Sequence, residues 1–542
     1  MSYIRVVFLV IILNVGAFSF GQTESFHEKA SRVIVKSLQK SSNTYLKSLY
    51  NSIYYIPIWV NKNHISYLAT DLFREIKEDN TISKTSNIYL SLINIERLSK
   101  SLYSNSDISL SQKISLEFKI SKLYNSYAKN CIYGNINWSS FQTKLTNLKE
   151  SKDIDGKWIT HKPKISPLSL IHKIINQGEV HKSFEDIKPK TFGYQLLEKK
   201  LAKYREYQKD GKWTKLSAFG SLKIGTKSEA LPQLRERFKF MGDYGECKNF
   251  SSNISDSCIK NALIRFQKRH GLAVTGFVNK NTQKLLNESI ESKIKRIILN
   301  LDRIKWLNPN NYNKRIIVNI PAFELNFMSN GKSIQNMRVV VGNKKHPTPI
   351  FNNRVKTIVL NPYWNVPTSI LEKEFLPHLK KNTNYLKKQN MKLYSGWETE
   401  GIEASSVDWK QYKAGDKVPY RVAQLPGKGN ALGKVKFLFP NRFAVYMHDT
   451  PSKSLFKRRV RAFSHGCIRL KKPRALLQIF SSFNTTVNYE TSIKVLKGLD
   501  RKFLTLNESV PIDIIYLTSW VDNNGILNFR NDIYGYDRMQ QV

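Results

Sequence analysis

Hydrophobic spacing divides the chain into stretches of different period. From residue 24 to about 215, apolar residues recur at three- and four-residue intervals, as at Leu92, Ile95, Leu98 and Leu102 and again across Tyr194 to Tyr204. That spacing lines one face of an α-helix. The region (22–215) is read as a helical scaffold without a catalytic constellation, broken by a Lys/Ser/Pro-rich connector near 153–167. Across 219–290, Leu231, Leu234, Arg235, Phe238 and Phe240 predict one helix. Ile259, Ala262, Leu263, Phe266 and Gln267 predict a second, and 281–286 a short third after the turn-rich link Gly271 to Val278. From 312 to 490 the pattern shifts towards strands. Arg315 to Ile320 alternates loosely and stops at Pro321. Leu325–Met328 and Met337–Val341 flank the turn Ser329-Asn330-Gly331-Lys332, a hairpin signal. Thr357–Leu360 and Phe443–Met447 are further strand candidates. Between them, 369–423 is polar and reads as helical, an insertion placed where a lid would sit. C-terminal strands within 500–542 are expected to pack on the scaffold or the β core. The fold class is therefore multi-domain α+β: a mainly β core with a helical lid insertion, a three-helix module and a helical scaffold.

Of the 542 residues, 41% are apolar and 12% aromatic, enough for several cores, which excludes a wholly disordered chain. Lys and Arg number 87 against 42 Asp and Glu, a net charge of +45. The basic residues are dispersed among Ser, Asn and Leu rather than gathered in a block. Nucleic acid is therefore not an expected partner, whereas a general attraction to polyanions, an acidic cell wall included, is. Residues 1–21 read as a signal peptide. Arg5 precedes the apolar run Val6 to Leu13, Val15 to Phe20 extends it, and Ser19-Phe20-Gly21 supplies small residues at the cleavage spacing. The expected location is periplasmic or in the cell envelope, with a membrane contact only if the signal stays uncleaved. Four cysteines are too few for a disulfide scaffold. Cys247 and Cys258, close together in an Asn/Ser/Asp-rich loop, are a disulfide candidate in an oxidising compartment. Cys131 is then left as an unpaired, buried thiol.

Cys467 has the surroundings of a nucleophile. His448 ends the strand candidate Phe443–Met447, and Ser464-His465-Gly466-Cys467-Ile468-Arg469 follows sixteen residues on. A thiolate is the reactive form of cysteine, and an imidazole can take its proton. Gly466 lets the backbone approach a substrate, and amide N–H groups beside Cys467 can bind a developing oxyanion. Arg461 and Arg469 add positive charge that favours thiolate and can hold a carboxylate. The alternatives are weaker. A polar, glycine-containing string fits a buried core strand badly. Zinc on His448, His465 and Cys467 lacks a fourth ligand, and a redox thiol lacks a second cysteine. Gly427-Lys428-Gly429 with Gly433 has neither the Lys-Ser/Thr ending nor the context of a phosphate loop.

The segment from Tyr312 to about Pro473 resembles the catalytic domain of YkuD-type L,D-transpeptidases, through "YMHDTPSKSLFKRRVRAFSHGCIRL". His448-Asp449 departs from the commoner His-Gly. With "NPYWNVPTSI", "LPGKGNALGKVKFLFP" and the tail "VPIDIIYLTSWVDNNGILNFRNDIYGYD", the chain is similar to the large YcbB-like subgroup. Residues 219–290 resemble a peptidoglycan-binding domain through "LPQLRERFKFMGDY" and "ALIRFQKRHGLAVTGFVNKNT". The resemblance implies that Cys467 attacks the carbonyl before the D-Ala of a stem tetrapeptide, with His448 as base. It implies that His465 lines the site, that Gly466 and Cys467 N–H groups form the oxyanion hole, and that Arg469 positions the donor stem near Ser464 and Asp449. Asp449 either orients His448 or faces the loop. Tyr363 and Trp364 either line the cleft or pack. The implied product is a 3→3 cross-link, made with no metal or organic cofactor. The implied partners are peptidoglycan stem peptides and glycan, with carbapenem-type inhibitors. The same thioester given to water would make an L,D-carboxypeptidase or endopeptidase; given to a protein amine, it would make a protein-to-wall attachment enzyme. A third class, a non-catalytic wall-binding protein, would use 219–290 alone.

Overall fold

The structure is a computed structural model. It describes residues 24–104, 108–152, 154–217, 219–396, 398, 400–413 and 416–540, so the signal-peptide segment lies outside the described residues. No described helix is long and apolar enough to cross a membrane. Two compact units emerge, one of residues up to 132 with 165–187, the other of 133–164 with 188–542.

The first unit is helical. Five of its helices, beginning at Phe26, Thr44, Tyr67, Asn87 and Pro167, follow Ser25, Asn43, Ser66, Ser86 and Ser166. Each of these cap side chains accepts a first-turn N–H, which typically contributes about 1 kcal/mol. Glu117, on the helix Leu110–Tyr133, is fully buried and organises the turn before Tyr67. Its carboxylate accepts from Tyr50 Oη at 2.6 Å and from the Ile58, Trp59 and Val60 N–H groups at 2.7, 2.8 and 3.0 Å. Burial outweighs these donors and pushes its pKa from 4.5 up to about 7. The folded unit therefore holds a proton that the unfolded chain releases. The Glu117 contribution to stability is full below about 4.5 and is lost as pH rises through about 7. Glu117→Gln is expected to flatten this pH slope in thermal melts and to lower stability overall by about 1–3 kcal/mol, because one amide oxygen cannot serve all these donors.

The second unit is built on a large sheet. Its strands are β1 (Lys314–Asn319), β2 (Glu324–Ser329), β3 (Lys332–Gly342), β4 (Phe351–Leu360), β5 (Trp364–Asn365), β6 (Met391–Ser395), β7 (Tyr420–Gln424), β8 (Val435–Leu438), β9 (Met447–His448), β10 (Ala462–Ser464), β11 (Ile468–Leu470), β12 (Lys502–Ile515), β13 (Ser519–Val521) and β14 (Leu527–Phe529). The main sheet runs β10-β3-β11-β9-β8-β4-β12-β1-β2, and a further β2–β3 pairing closes it on itself. The long β3 makes this closure possible: residues 332–338 pair with β2, 339–340 with β11 and 341–342 with β10. β12 lies between β1 and β4, so the catalytic-type core extends past residue 490 and includes the C-terminal segment.

Alternation fills the core. Val435, Phe437, Val445, Met447, Ile468 and Leu470 face inward, which turns their odd-one-out neighbours to the other side. Trp138, Phe141, Leu145 and Trp158 join that core, so 133–164 packs with the sheet although its sequence reads as scaffold. The three-helix module has helices Leu231–Met241, Ser257–Arg269 and Lys280–Leu286 around its own core of Leu231, Leu234, Phe238, Ile259, Leu263 and Phe266. Cys247 and Cys258 are joined as a disulfide there. The insertion is not wholly helical. β5, β7 and β6 form a three-stranded sheet under short helices, with a core of its own that includes Leu371, Phe375, Leu393, Trp409 and Val422. Its strands are five residues or shorter and lie among Lys and Tyr, which hides the two-residue period.

Candidate active site

Register assembles the site. β9 and β11 run parallel with Ile468 beside Met447 and Arg469 beside His448, and Ile468 N donates to Tyr446 O at 3.0 Å. Since Met447 and Ile468 point into the core, Tyr446, His448, Cys467 and Arg469 emerge on the opposite face. β8 adds Lys436 on that face, paired with His448.

The turn before Cys467 is braced from behind. Gly466 adopts φ +108°, a conformation that a side chain would strain. Its carbonyl accepts from Thr348 Oγ1 at 2.8 Å, and the same hydroxyl accepts from Gly342 N at 2.8 Å. Ser464 Oγ donates to Cys467 O at 2.6 Å and accepts from Gly466 N at 3.2 Å. Ser464 is thus a buttress of the turn. The Gly466 N–H, expected in the oxyanion hole, is taken by Ser464, which leaves the Cys467 N–H as that turn's available donor. On the other side, Cys467 Sγ lies 3.9 Å from Ala444 O. Ala444 has φ +54°, rare for alanine, and Asn441 holds it there: its side chain donates to Val445 O at 2.7 Å and accepts from Phe443 N at 3.0 Å.

Cys467 is half-buried. Burial pushes its thiol pKa up from 9.0, opposed by hydrogen bonds from Tyr446 and by the charges of Lys436 and Arg469. The thiol is therefore protonated at neutral pH and needs a base. His448 is buried, and burial with the nearby Arg469 and Lys436 charges drives its pKa down to about 3. Its Nδ1 lies 2.5 Å from Asp449 O. A carbonyl only accepts, so Nδ1 carries the proton and Nε2 keeps its lone pair. The backbone of Asp449, not its carboxylate, orients the ring. That carboxylate accepts from Lys434 N at 3.0 Å and pairs with Lys453. It also fills the space where a Gly433 Cβ would stand, 2.5 Å from Asp449 Cγ, which accounts for the glycine.

Other predicted residues lie elsewhere. His465 Nε2 is 3.0 Å from Glu374 Oε1 of the insertion, and its ring stacks on His346 at 4.7 Å. Arg461 is a structural brace: it donates to Val339 O at 3.1 Å and Phe323 O at 3.0 Å. Trp364 packs edge-on against Phe375 in the insertion core, and Arg501 lies over the Tyr363 ring at 4.6 Å. Both make the packing contacts that the sequence left open. Among the described residues, no group of three or more His, Cys, Asp or Glu gathers as a metal site would require.

Residues 313–489 match the YkuD family, the L,D-transpeptidase catalytic domain. Residues 227–286 match the family described as "Putative peptidoglycan binding domain", and 44–201 match one described as "Scaffold domain". A Haemophilus influenzae (strain Rd) protein named "Putative L,D-transpeptidase" is 34% identical over 253 residues, 46% of this chain and 50% of that protein. The chain thus spans half the length of this curated relative. Among solved structures, an L,D-transpeptidase from Mycobacterium smegmatis shares 13% identity over 38% of this chain and 58% of its own, with a TM-score of 0.19. L,D-transpeptidase 3 from Mycobacterium tuberculosis shares 10% over 38% and 61%, with a TM-score of 0.20.

On the face that carries Cys467, Tyr446 and Lys436 have no signal in the sequence. Only the strand register brings them to Cys467. Tyr446→Phe removes a hydroxyl that stabilises the thiolate. It is expected to shift the pH profile of Cys467 alkylation by iodoacetamide upwards by about one unit. An unmoved profile would show that the hydroxyl does not serve the sulfur.

Proposed function

We propose that the protein is an exported L,D-transpeptidase that makes 3→3 peptidoglycan cross-links through a thioester on Cys467. The observation that carries this reading is one sheet face bearing a protonated thiol, a neutral imidazole held by its Nδ1 and two cations, within the family-matched domain.

The steps follow from the protonation states. Cys467 Sγ attacks the carbonyl carbon joining the third stem residue to D-Ala while its proton passes to His448 Nε2. The Cys467 N–H stabilises the oxyanion. Collapse breaks the C–N bond, and His448 returns the proton to the leaving amine of D-Ala. The side-chain amine of a second stem then attacks the thioester, gives a proton to His448, and releases the thiol. The His465–Glu374 contact ties the catalytic turn to the insertion, which serves as a lid. Residues 219–290 hold the wall through glycan. Acylation by carbapenems is expected by the family resemblance.

The test uses residues 22–542 with a purified disaccharide-tetrapeptide, following products and intact mass. A 3→3 dimer with D-Ala release supports the proposal. Tripeptide without dimer would make the protein a hydrolase. No adduct with either peptide or meropenem would leave a wall-binding role.

A further inference from the structure

One loop holds large apolar side chains out in water. It follows the helix Tyr489–Lys497 and leads into β12. Every residue from 497 to 503 is exposed, Leu499 by 61% and Phe503 by 56%. The loop is pinned from behind. Asn361, buried directly after β4 with φ +47°, donates its side-chain amide to Val495 O at 2.9 Å, Gly498 O at 3.2 Å and Asp500 O at 3.1 Å. Lys434 Nζ donates to Leu496 O of the same helix. Gly498 has extended backbone, and the alternate carbonyls Gly498 and Asp500 turn to one side chain, as in an extended chain. Leu499, Arg501 and Phe503 therefore share a side, while Leu504 turns into the core.

Cations surround these apolar groups. Lys494, Lys497, Arg501 and Lys502 are exposed, with Asp500 the one acid between them, and none of the four makes an ion pair among the described residues. Arg501 Cζ lies 5.1 Å from the Phe503 ring centroid and 4.6 Å from that of Tyr363, so apolar and cationic groups form one surface. Exposed apolar side chains rimmed by charge mark a contact surface. The chemistry of the rim selects the partner. Lysine is depleted at protein interfaces, which argues against a protein. A wall polymer offers carboxylates but no hydrocarbon for Leu499 and Phe503. An anionic bilayer offers acidic headgroups to the cations and hydrocarbon to the apolar pair, and the stems of Lys and Arg lie easily along such a boundary. The net charge of +45 adds a general pull towards it.

We propose that residues 494–503 dock the protein on anionic phospholipid, with Leu499 and Phe503 entering the headgroup boundary and Lys494, Lys497, Arg501 and Lys502 taking the acidic headgroups. This docking uses the second unit and not residues 1–21, and it is independent of the chemistry at Cys467.

The test is co-sedimentation of residues 22–542 with vesicles of equimolar phosphatidylcholine and phosphatidylglycerol, beside vesicles of phosphatidylcholine alone. The anionic vesicles are expected to bind roughly tenfold tighter or more. Lys497→Gln with Arg501→Gln and Lys502→Gln is expected to weaken that binding by roughly 10- to 100-fold, since each cation near an anionic leaflet contributes about fivefold. Lys119→Gln with Lys122→Gln and Lys129→Gln removes the same charge from exposed positions of the helix Leu110–Tyr133 and is expected to change binding by less than about threefold. Leu499→Ser with Phe503→Ser is expected to weaken it by about tenfold, and Leu499→Ser alone, which leaves β12 untouched, by about threefold. Thermal melts check that each variant is folded. No preference for anionic vesicles, Leu499 and Phe503 variants that bind as the native chain does, or equal losses from the two charge-removing triples overturns the inference. Variants that lose pelleting with sacculi but keep vesicle binding would assign the loop to the wall polymer and overturn it as well. Release of D-Ala from a soluble donor needs no membrane, so each of these outcomes leaves the transpeptidase reading standing.

Discussion

Cys467→Ala is expected to abolish D-Ala release and cross-link formation, a fall of roughly 10³-fold or more, with no covalent adduct. No other thiol can substitute. Cys247 and Cys258 are joined to each other, and Cys131 lies on the helix Leu110–Tyr133 with its Sγ 4.0 Å from Asp79 Oδ2, away from any of the groups described around Cys467 in sequence or motif. The loss should be chemical rather than structural. Cys467 is only half-buried, and the turn that carries it is held by Ser464 and Thr348, which the substitution leaves intact. Thermal melts of the variant should therefore lie close to those of the native chain. Cys467→Ser should be nearly as inactive, since the burial that already raises the thiol pKa works harder against an alkoxide. Pelleting with sacculi separates chemistry from binding. The three-helix module has its own core and disulfide, so both variants should sediment as the native protein does. Persistent D-Ala release in Cys467→Ala would place the nucleophile elsewhere.

The core of the site was legible because its parts lie close in sequence: His448 ends a strand candidate and Cys467 sits in the motif sixteen residues on. What supports them was not. Thr348 braces Gly466 from 118 residues away, and Lys436 meets Cys467 only through the order of β8, β9 and β11. No local period reports such pairings. Asp449 shows another limit. A triad logic looks to its carboxylate, yet the atom on His448 is its backbone oxygen, which every residue type has. The helical module is legible nearly helix for helix, because Leu231, Leu234 and Phe238, like Ile259, Ala262, Leu263 and Phe266, mark unbroken buried stripes. The insertion hides its strands for the opposite reason: β6 and β7 are too short for alternation to stand out. Likewise Trp138, Phe141 and Trp158 belong to the β core although their stretch reads as scaffold, since helical periodicity says which face is buried but not against what.

His448→Ala is expected to lower the acylation rate at neutral pH by roughly 10²- to 10⁴-fold, with a pH dependence that sets it apart from the cysteine variant. In the native chain burial and the Arg469 charge hold the His448 pKa down at about 3, so the ring is already neutral across the range where an exposed imidazole would be gaining its proton. The native acylation profile should therefore lack a limb near 6.5 and rise with pH as the Cys467 thiol, itself raised above 9.0, ionises. In His448→Ala the same thiol ionises unaided at high pH. The deficit in the first, bond-forming step should narrow as pH climbs, whereas the Cys467→Ala deficit should not. Carbapenem acylation opens the lactam and leaves its nitrogen tethered to the adduct, so its rate reports bond formation at Cys467 without departure of D-Ala. The same depressed pKa bears on stability. Between about 3 and 6.5 the unfolded chain binds a proton that the folded one refuses, so this group's contribution is present above 6.5 and is lost as pH falls towards 3. His448→Gln should remove that part of the acid sensitivity in melts while still failing as a base. A native acylation profile with a limb near 6.5 would mean that His448 is not the buried, neutral group flanked by Lys436 and Arg469 on which the proposed mechanism depends.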